Sequence, residues 1–141
     1  MTYTGSCLCG AIKFQIDAKD PLPFGHCHCG ACRKSHGADF TSATILPDHK
    51  LILLHGEDSL ATYQSSESME RQFCRNCGAR MFVRFLRRGP EGSQVFYTVS
   101  INALDNIEHW RETAHIYVDH KAPWCTIKDD LPKTAENFPS Q

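Results

Sequence analysis

Seven of the eight cysteines in this chain fall into close groups. Cys7 and Cys9 form one, Cys27, Cys29 and Cys32 a second, and Cys74 and Cys77 a third, leaving Cys125 alone. Thiolates at these spacings are soft ligands for zinc, whose structural sites take four protein ligands in a tetrahedron. In a reducing compartment, clustered cysteines bind metal more often than they pair as disulfides. A Cys-x-Cys on an extended segment directs both sulfurs to one face, because side chains alternate with period two. A Cys-x-x-Cys turn followed by glycine, as in Cys74-Arg75-Asn76-Cys77-Gly78, also brings two sulfurs together. Joining Cys7 and Cys9 to Cys74 and Cys77 would close a site that ties the start of the chain to its middle.

The remaining group differs. Cys27-His28-Cys29-Gly30-Ala31-Cys32 offers three sulfurs from one short stretch and no evident fourth ligand. Three protein ligands and an open position is the arrangement of catalytic zinc. A histidine that fills the fourth position is the alternative. On a strand, His28 faces away from the cysteines that flank it, with His26 beside it, and His36 reaches back only through a tight turn at residues 33–35. The same histidines are candidate proton donors near neutral pH. Arg33 and Lys34 adjoin the group, and Arg71, Arg75, Arg80, Arg84, Arg87 and Arg88 surround the last cysteine pair, offset nearby by Glu67 and Glu70. Such cations suit substrate carboxylates, although a solvated strand face also explains most of them.

The elements that position these residues are mainly strands. Ile12, Phe14 and Ile16 alternate with Lys13, Gln15 and Asp17, the pattern of a half-buried strand. Further short strands are predicted at 39–46, 51–55, 69–74, 80–86, 94–101 and 114–118, separated by Pro-, Gly- and Asp-rich turns. Gly30 to His36 and Ala103 to His109 read as short helices. One domain, 1–128, and a C-terminal tail, 129–141 with Pro132 and Pro139, account for the length. Fifteen basic and sixteen acidic residues leave a formal charge of -1, which argues against a whole-domain grip on nucleic acid or anionic membrane. No apolar run approaches the ~20 residues of a membrane span, and the first residues lack the pattern of a signal peptide. The expected location is the cytoplasm.

Gly5-Ser6-Cys7-Leu8-Cys9-Gly10, Cys27-His28-Cys29-Gly30-Ala31-Cys32-Arg33-Lys34 and Phe73-Cys74-Arg75-Asn76-Cys77-Gly78 together resemble the glutathione-dependent formaldehyde-activating enzyme and centromere-protein-V-like family. The resemblance extends to Ala114-His115-Ile116-Tyr117-Val118 and Ala122-Pro123-Trp124. It implies a mainly β, Mss4-like fold of coiled antiparallel sheets with zinc knuckles and few short helices. It implies two zinc ions: a structural one on Cys7, Cys9, Cys74 and Cys77, and a substrate-facing one on Cys27, Cys29 and Cys32. The implied activity is that of a carbon–sulfur lyase joining glutathione, as co-substrate, to formaldehyde. The implied partners are thus a small thiol and a small aldehyde, and Arg33 and Lys34, beside the second group, are the candidates to meet the carboxylates of glutathione. A non-enzymatic zinc module that binds protein or nucleic acid is the competing class. A methionine sulfoxide reductase shares the architecture, but Cys74 is committed to a knuckle here.

Overall fold

The computed structural model describes residues 2–136. Two sheets share one core. The smaller has the order β1-β2-β5, with β1 at Thr2–Ser6, β2 at Lys13–Asp17 and β5 at Leu51–His55. On β2 the buried Phe14 and Ile16 alternate with exposed Lys13 and Asp17, as the period-two pattern requires. The larger sheet is built from β3 (Phe24–Cys27), β4 (Thr41–Pro47), β6 (Leu60–Ser66), β7 (Met69–Cys74), β8 (Arg80–Phe85), β9 (Phe96–Ser100) and β10 (Glu112–Ile116). Its order is β10-β3-β4-β9-β8-β7-β6, antiparallel throughout except for the parallel β10–β3 pair.

Phe14 joins the two sheets, its ring meeting Phe82 edge-on at 5.0 Å. Ile12, Ile16, Leu46, Met81 and Val99 close around this contact, all at 1% exposure or less. Each such side chain contributes ~1.5–3 kcal/mol through its removal from water. The mainly β, Mss4-like expectation therefore holds, with one parallel pair among the antiparallel ladders.

Among the described residues the one α-helix, α1, spans Gly30–His36 as predicted. It ends where Gly37 takes φ 62° and returns its N–H to the Arg33 carbonyl, a glycine C-cap. The second predicted helix, Ala103 to His109, does not form. A 3-10 turn at Ile101–Ala103 gives way to irregular chain. Leu104 bridges Gly5, and the Asp105 N–H donates to the Thr4 carbonyl at 2.9 Å. The segment thus satisfies its backbone against β1 and buries Leu104, which overrides a weak local helix preference. Of the predicted tail, Pro132 and Thr134 exchange backbone hydrogen bonds with His115, so this stretch runs beside β10. Met1 and residues 137–141, with Pro139, lie outside the described residues.

Candidate metal centres

The first cysteine group is made by two turns of the same design. Cys7 follows β1, and the Gly10 N–H donates back to the Cys7 carbonyl at 3.1 Å. Cys74 ends β7, and the Gly78 N–H donates back to the Cys74 carbonyl at 2.8 Å. Gly10 and Gly78 take φ 81° and 76°, left-handed values that glycine adopts without Cβ strain. The Cys7–Cys9 pair therefore lies in a turn, not along a strand as the spacing suggested. The two turns face each other across the sheets. The Cys7 and Cys9 sulfurs are 3.6 Å apart, Cys9 and Cys74 are 3.8 Å apart, and all four including Cys77 lie within 4.8 Å. A tetrahedral zinc with Zn–S near ~2.3 Å separates its sulfurs by ~3.8 Å, so the donor set fits the metal. All eight cysteines are free thiols.

Protons are shared unequally among these sulfurs. Backbone N–H groups of Ala79 and Cys9 pull the Cys77 thiol down to about 6. At Cys9 the Ala11 amide lowers the pKa, but desolvation and the three neighbouring sulfurs outweigh it and push the thiol up to about 11. Thiolates this close repel, and a divalent cation relieves what a shared proton otherwise must.

The second group is compact in sequence. Cys27 ends β3, Cys29 caps α1 by accepting the Cys32 N–H at 3.3 Å, and Cys32 sits in the first helical turn. The three sulfurs lie within 4.8 Å and can hold a metal ion; among the described residues, no histidine or carboxylate completes the group. Hydrogen bonds from the Cys27 and Cys32 side chains, then backbone N–H groups, hold the Cys29 thiol down to about 2. Hydrogen bonds with Cys29 and Cys32, together with burial, push the Cys27 thiol far up.

The histidines turn elsewhere. His28 is fully buried behind the group, and its Nε2 lies 2.8 Å from His115 Nδ1, whose own Nε2 lies 2.9 Å from the Asp129 carboxylate. The carboxylate only accepts, so with a neutral His115 ring the Nε2–H donates to Asp129, Nδ1 accepts, and the proton of His28 lies on Nε2. Burial, then the neighbouring His115 and His26, hold His28 at about 4, in the neutral form this arrangement needs. His26 exchanges a hydrogen bond with the Ser42 hydroxyl at 2.8 Å. His36 faces Arg80 and Arg71; burial first, then these cations, bring it to about 4.

The two predicted substrate cations part company. Arg33 bonds the His120 carbonyl at 3.3 Å and borders a shallow depression with Trp124. Lys34 is exposed and also borders a pocket against β6, β7 and β8. Of the arginines, Arg84 pairs with Glu70 at 3.3 Å, whereas Arg71 is 8% exposed and, among the described residues, bonds the Ser65 hydroxyl alone. Sequence reasoning missed the His28–His115–Asp129 chain. Its one signal is a histidine set between two ligand-type cysteines, which must bury its ring on the far face.

Comparison with known proteins agrees with this architecture. The family model for the glutathione-dependent formaldehyde-activating enzyme matches residues 2–120. A Halomonas elongata protein named "Putative glutathione-dependent formaldehyde-activating enzyme" is 30% identical over 134 residues, covering 91% of this chain and 82% of that protein. An "Uncharacterized lyase" of Schizosaccharomyces pombe is 29% identical over 126 residues, covering 87% and 82%. The crystal structure of a Rhodobacter sphaeroides protein superposes with TM-score 0.58 at 23% identity, over 78% of this chain and 99% of that one, a likeness of fold. The two glycine-closed turns and the three-cysteine helix cap make this a mainly β protein with two cysteine groups that can hold metal ions. The chain belongs to the glutathione-dependent formaldehyde-activating enzyme family.

Proposed function

We propose that this protein is a zinc-dependent carbon–sulfur lyase that joins a thiol such as glutathione to a small aldehyde such as formaldehyde. The observation that carries the reading is the contrast in ligand count: four sulfurs in one group, three in the other. In this reading Cys7, Cys9, Cys74 and Cys77 hold a structural zinc, and Cys27, Cys29 and Cys32 hold the one that serves the reaction. Zinc bound at the three-sulfur group would keep a substrate thiol deprotonated near neutral pH, where a free thiol is mostly protonated. The thiol sulfur bonds to the aldehyde carbon, the carbonyl π pair moves to oxygen, and the thiol proton ends on that oxygen. The balance needs no oxidant.

The chain's own residues orient this site. The α1 cap fixes Cys29 and Cys32 relative to each other, and the His28–His115–Asp129 chain holds the back of the Cys27–Cys29 segment. No helix of the described residues is long and apolar enough to cross a membrane. Reduced cysteines and a thiol co-substrate suit the cytoplasm. The test is exchange NMR of formaldehyde with glutathione. The protein should accelerate interconversion of free glutathione and its hydroxymethyl adduct, and Cys29→Ser should return the rate to the uncatalysed value. An unchanged exchange rate with the wild-type protein would defeat the reading.

A further inference from the structure

Beside the three-sulfur group lies a pocket of about 460 Å³ between α1 and the β6–β8 edge of the large sheet. That volume is in the ~300–1,000 Å³ range of small-molecule sites. Lys34 borders it from α1, Arg71 from β7 and Arg80 from β8, while Tyr63 and Phe73 supply aromatic wall. No Asp or Glu lines it. Among the described residues none of the three cations has a carboxylate partner. Glu70, one position before Arg71 on β7, is paired with Arg84 across the ladder. Alternation on β7 thus separates a neutralised face from an unneutralised one.

The cationic face is held in place. Arg71 is buried and tied through Nε to Ser65, and the Arg80 guanidinium lies 4.8 Å over the Phe73 ring. Held guanidiniums present planar forks that match carboxylates. Arg71, Arg80 and Ser35 also border a narrow cleft whose lining includes Cys32. Arg71 and Arg80 therefore border both the pocket and the cleft that leads to the sulfur group. Concentrating three unpaired cations is unfavourable for folding alone, and a ligand with two carboxylates offsets it.

We propose that this pocket is the carboxylate subsite of the thiol substrate, with Arg71, Arg80 and Lys34 receiving the carboxylates of a peptide-like thiol whose sulfur lies at the Cys27–Cys29–Cys32 group. The assignment rests on the thiol-adding reading above and adds the recognition element to it. Such a subsite would favour a dicarboxylate thiol over a small neutral one.

The test uses S-methylglutathione, which keeps both carboxylates but has no thiol, titrated calorimetrically into the zinc-loaded protein. Binding should be saturable, weaken with added salt, and fall about tenfold or more in Arg80→Gln and in Lys34→Gln. Arg88→Gln, at an exposed arginine outside the pocket, should bind like wild type. Lys34 is exposed on the helix, so its variant folds whether or not Arg80→Gln does. The diester of S-methylglutathione should fail to bind, and glutarate should compete better than inorganic phosphate. In turnover, the two variants should raise KM for glutathione while leaving that for 2-mercaptoethanol unchanged. Equal binding by wild type and both variants, absence of saturable binding at millimolar ligand, or a preference for phosphate would overturn the subsite. Turnover of both thiols with no effect of Arg80 or Lys34 would remove the subsite and leave the reaction standing. Variant-sensitive binding without any turnover would do the reverse.

Discussion

The two cysteine groups are built from the same ligand by opposite strategies. In the first, two glycine-closed turns from segments 65 residues apart converge, so the cluster joins β1 to the β7–β8 hairpin and bridges both sheets. In the second, one six-residue stretch supplies every sulfur, and the ladder of β3 with β4 and β10 exists without it. A metal in the first group closes a long loop and acts on the fold. A metal in the second closes almost none, and its neighbourhood is specialised instead: a helix cap, a buried histidine chain and a pocket rich in unpaired cations. In the proposed reading, long-range closure marks structure, and local closure beside unpaired cations marks chemistry.

Removing a sulfur from each group breaks the comparison most sharply. Cys74→Ser or Cys7→Ser should abolish cooperative folding, because structural zinc contributes ~10–16 kcal/mol, as much as a domain's whole net stability of ~5–15 kcal/mol. Cys29→Ser should stay folded and carry one zinc. Far-ultraviolet circular dichroism with metal analysis reads both, and equal loss of structure in all three variants would erase the distinction.

A smaller effect lies behind the second group. His115→Ala leaves the His28 Nε2 proton buried without its acceptor. The penalty should be ~1–3 kcal/mol in urea unfolding. It should come with faster zinc loss from the three-sulfur group but not from the other, as followed with a chromophoric chelator. Equal acceleration at both groups would mean that His115 serves the fold alone.

The smallest effect is a pH slope. His36 has its pKa lowered from 6.5 to about 4 by burial and then by Arg80 and Arg71. A histidine with a depressed folded pKa binds fewer protons folded than unfolded between those values. Its contribution to stability is therefore present above pH ~6.5 and is lost as pH falls toward ~4. His36→Gln should flatten the decline of the urea midpoint across that window. An unchanged slope would show that His36 is already protonated or solvated in the folded protein.

Much of this was legible in the chain. The sulfur spacings pointed to both groups, the alternation from Ile12 to Asp17 to β2, and Gly30 to His36 to α1. What escaped depends on long-range contact. β6, Leu60–Ser66, is largely exposed and carries no apolar alternation, so only its pairing with β7 makes it a strand. β3 is a four-residue strand that runs into the three-cysteine stretch at Cys27, and the 103–109 segment obeys β1 rather than its own propensity. Arg71 and Arg84 are alike as letters. Only the strand faces show that Arg84 is paired with Glu70, whereas Arg71 bonds the Ser65 hydroxyl and borders the pocket.

The central claim is that one cysteine group is closed and the other accepts a substrate thiol. Cobalt in place of zinc tests it directly, since the thiolate-to-cobalt absorption grows with the number of sulfur ligands. Titration with glutathione should move one cobalt from three sulfurs to four and leave the other unchanged. Cys29→Ser should lose the moving component. A spectrum that stays fixed at millimolar glutathione, or that moves for both ions, would contradict the account.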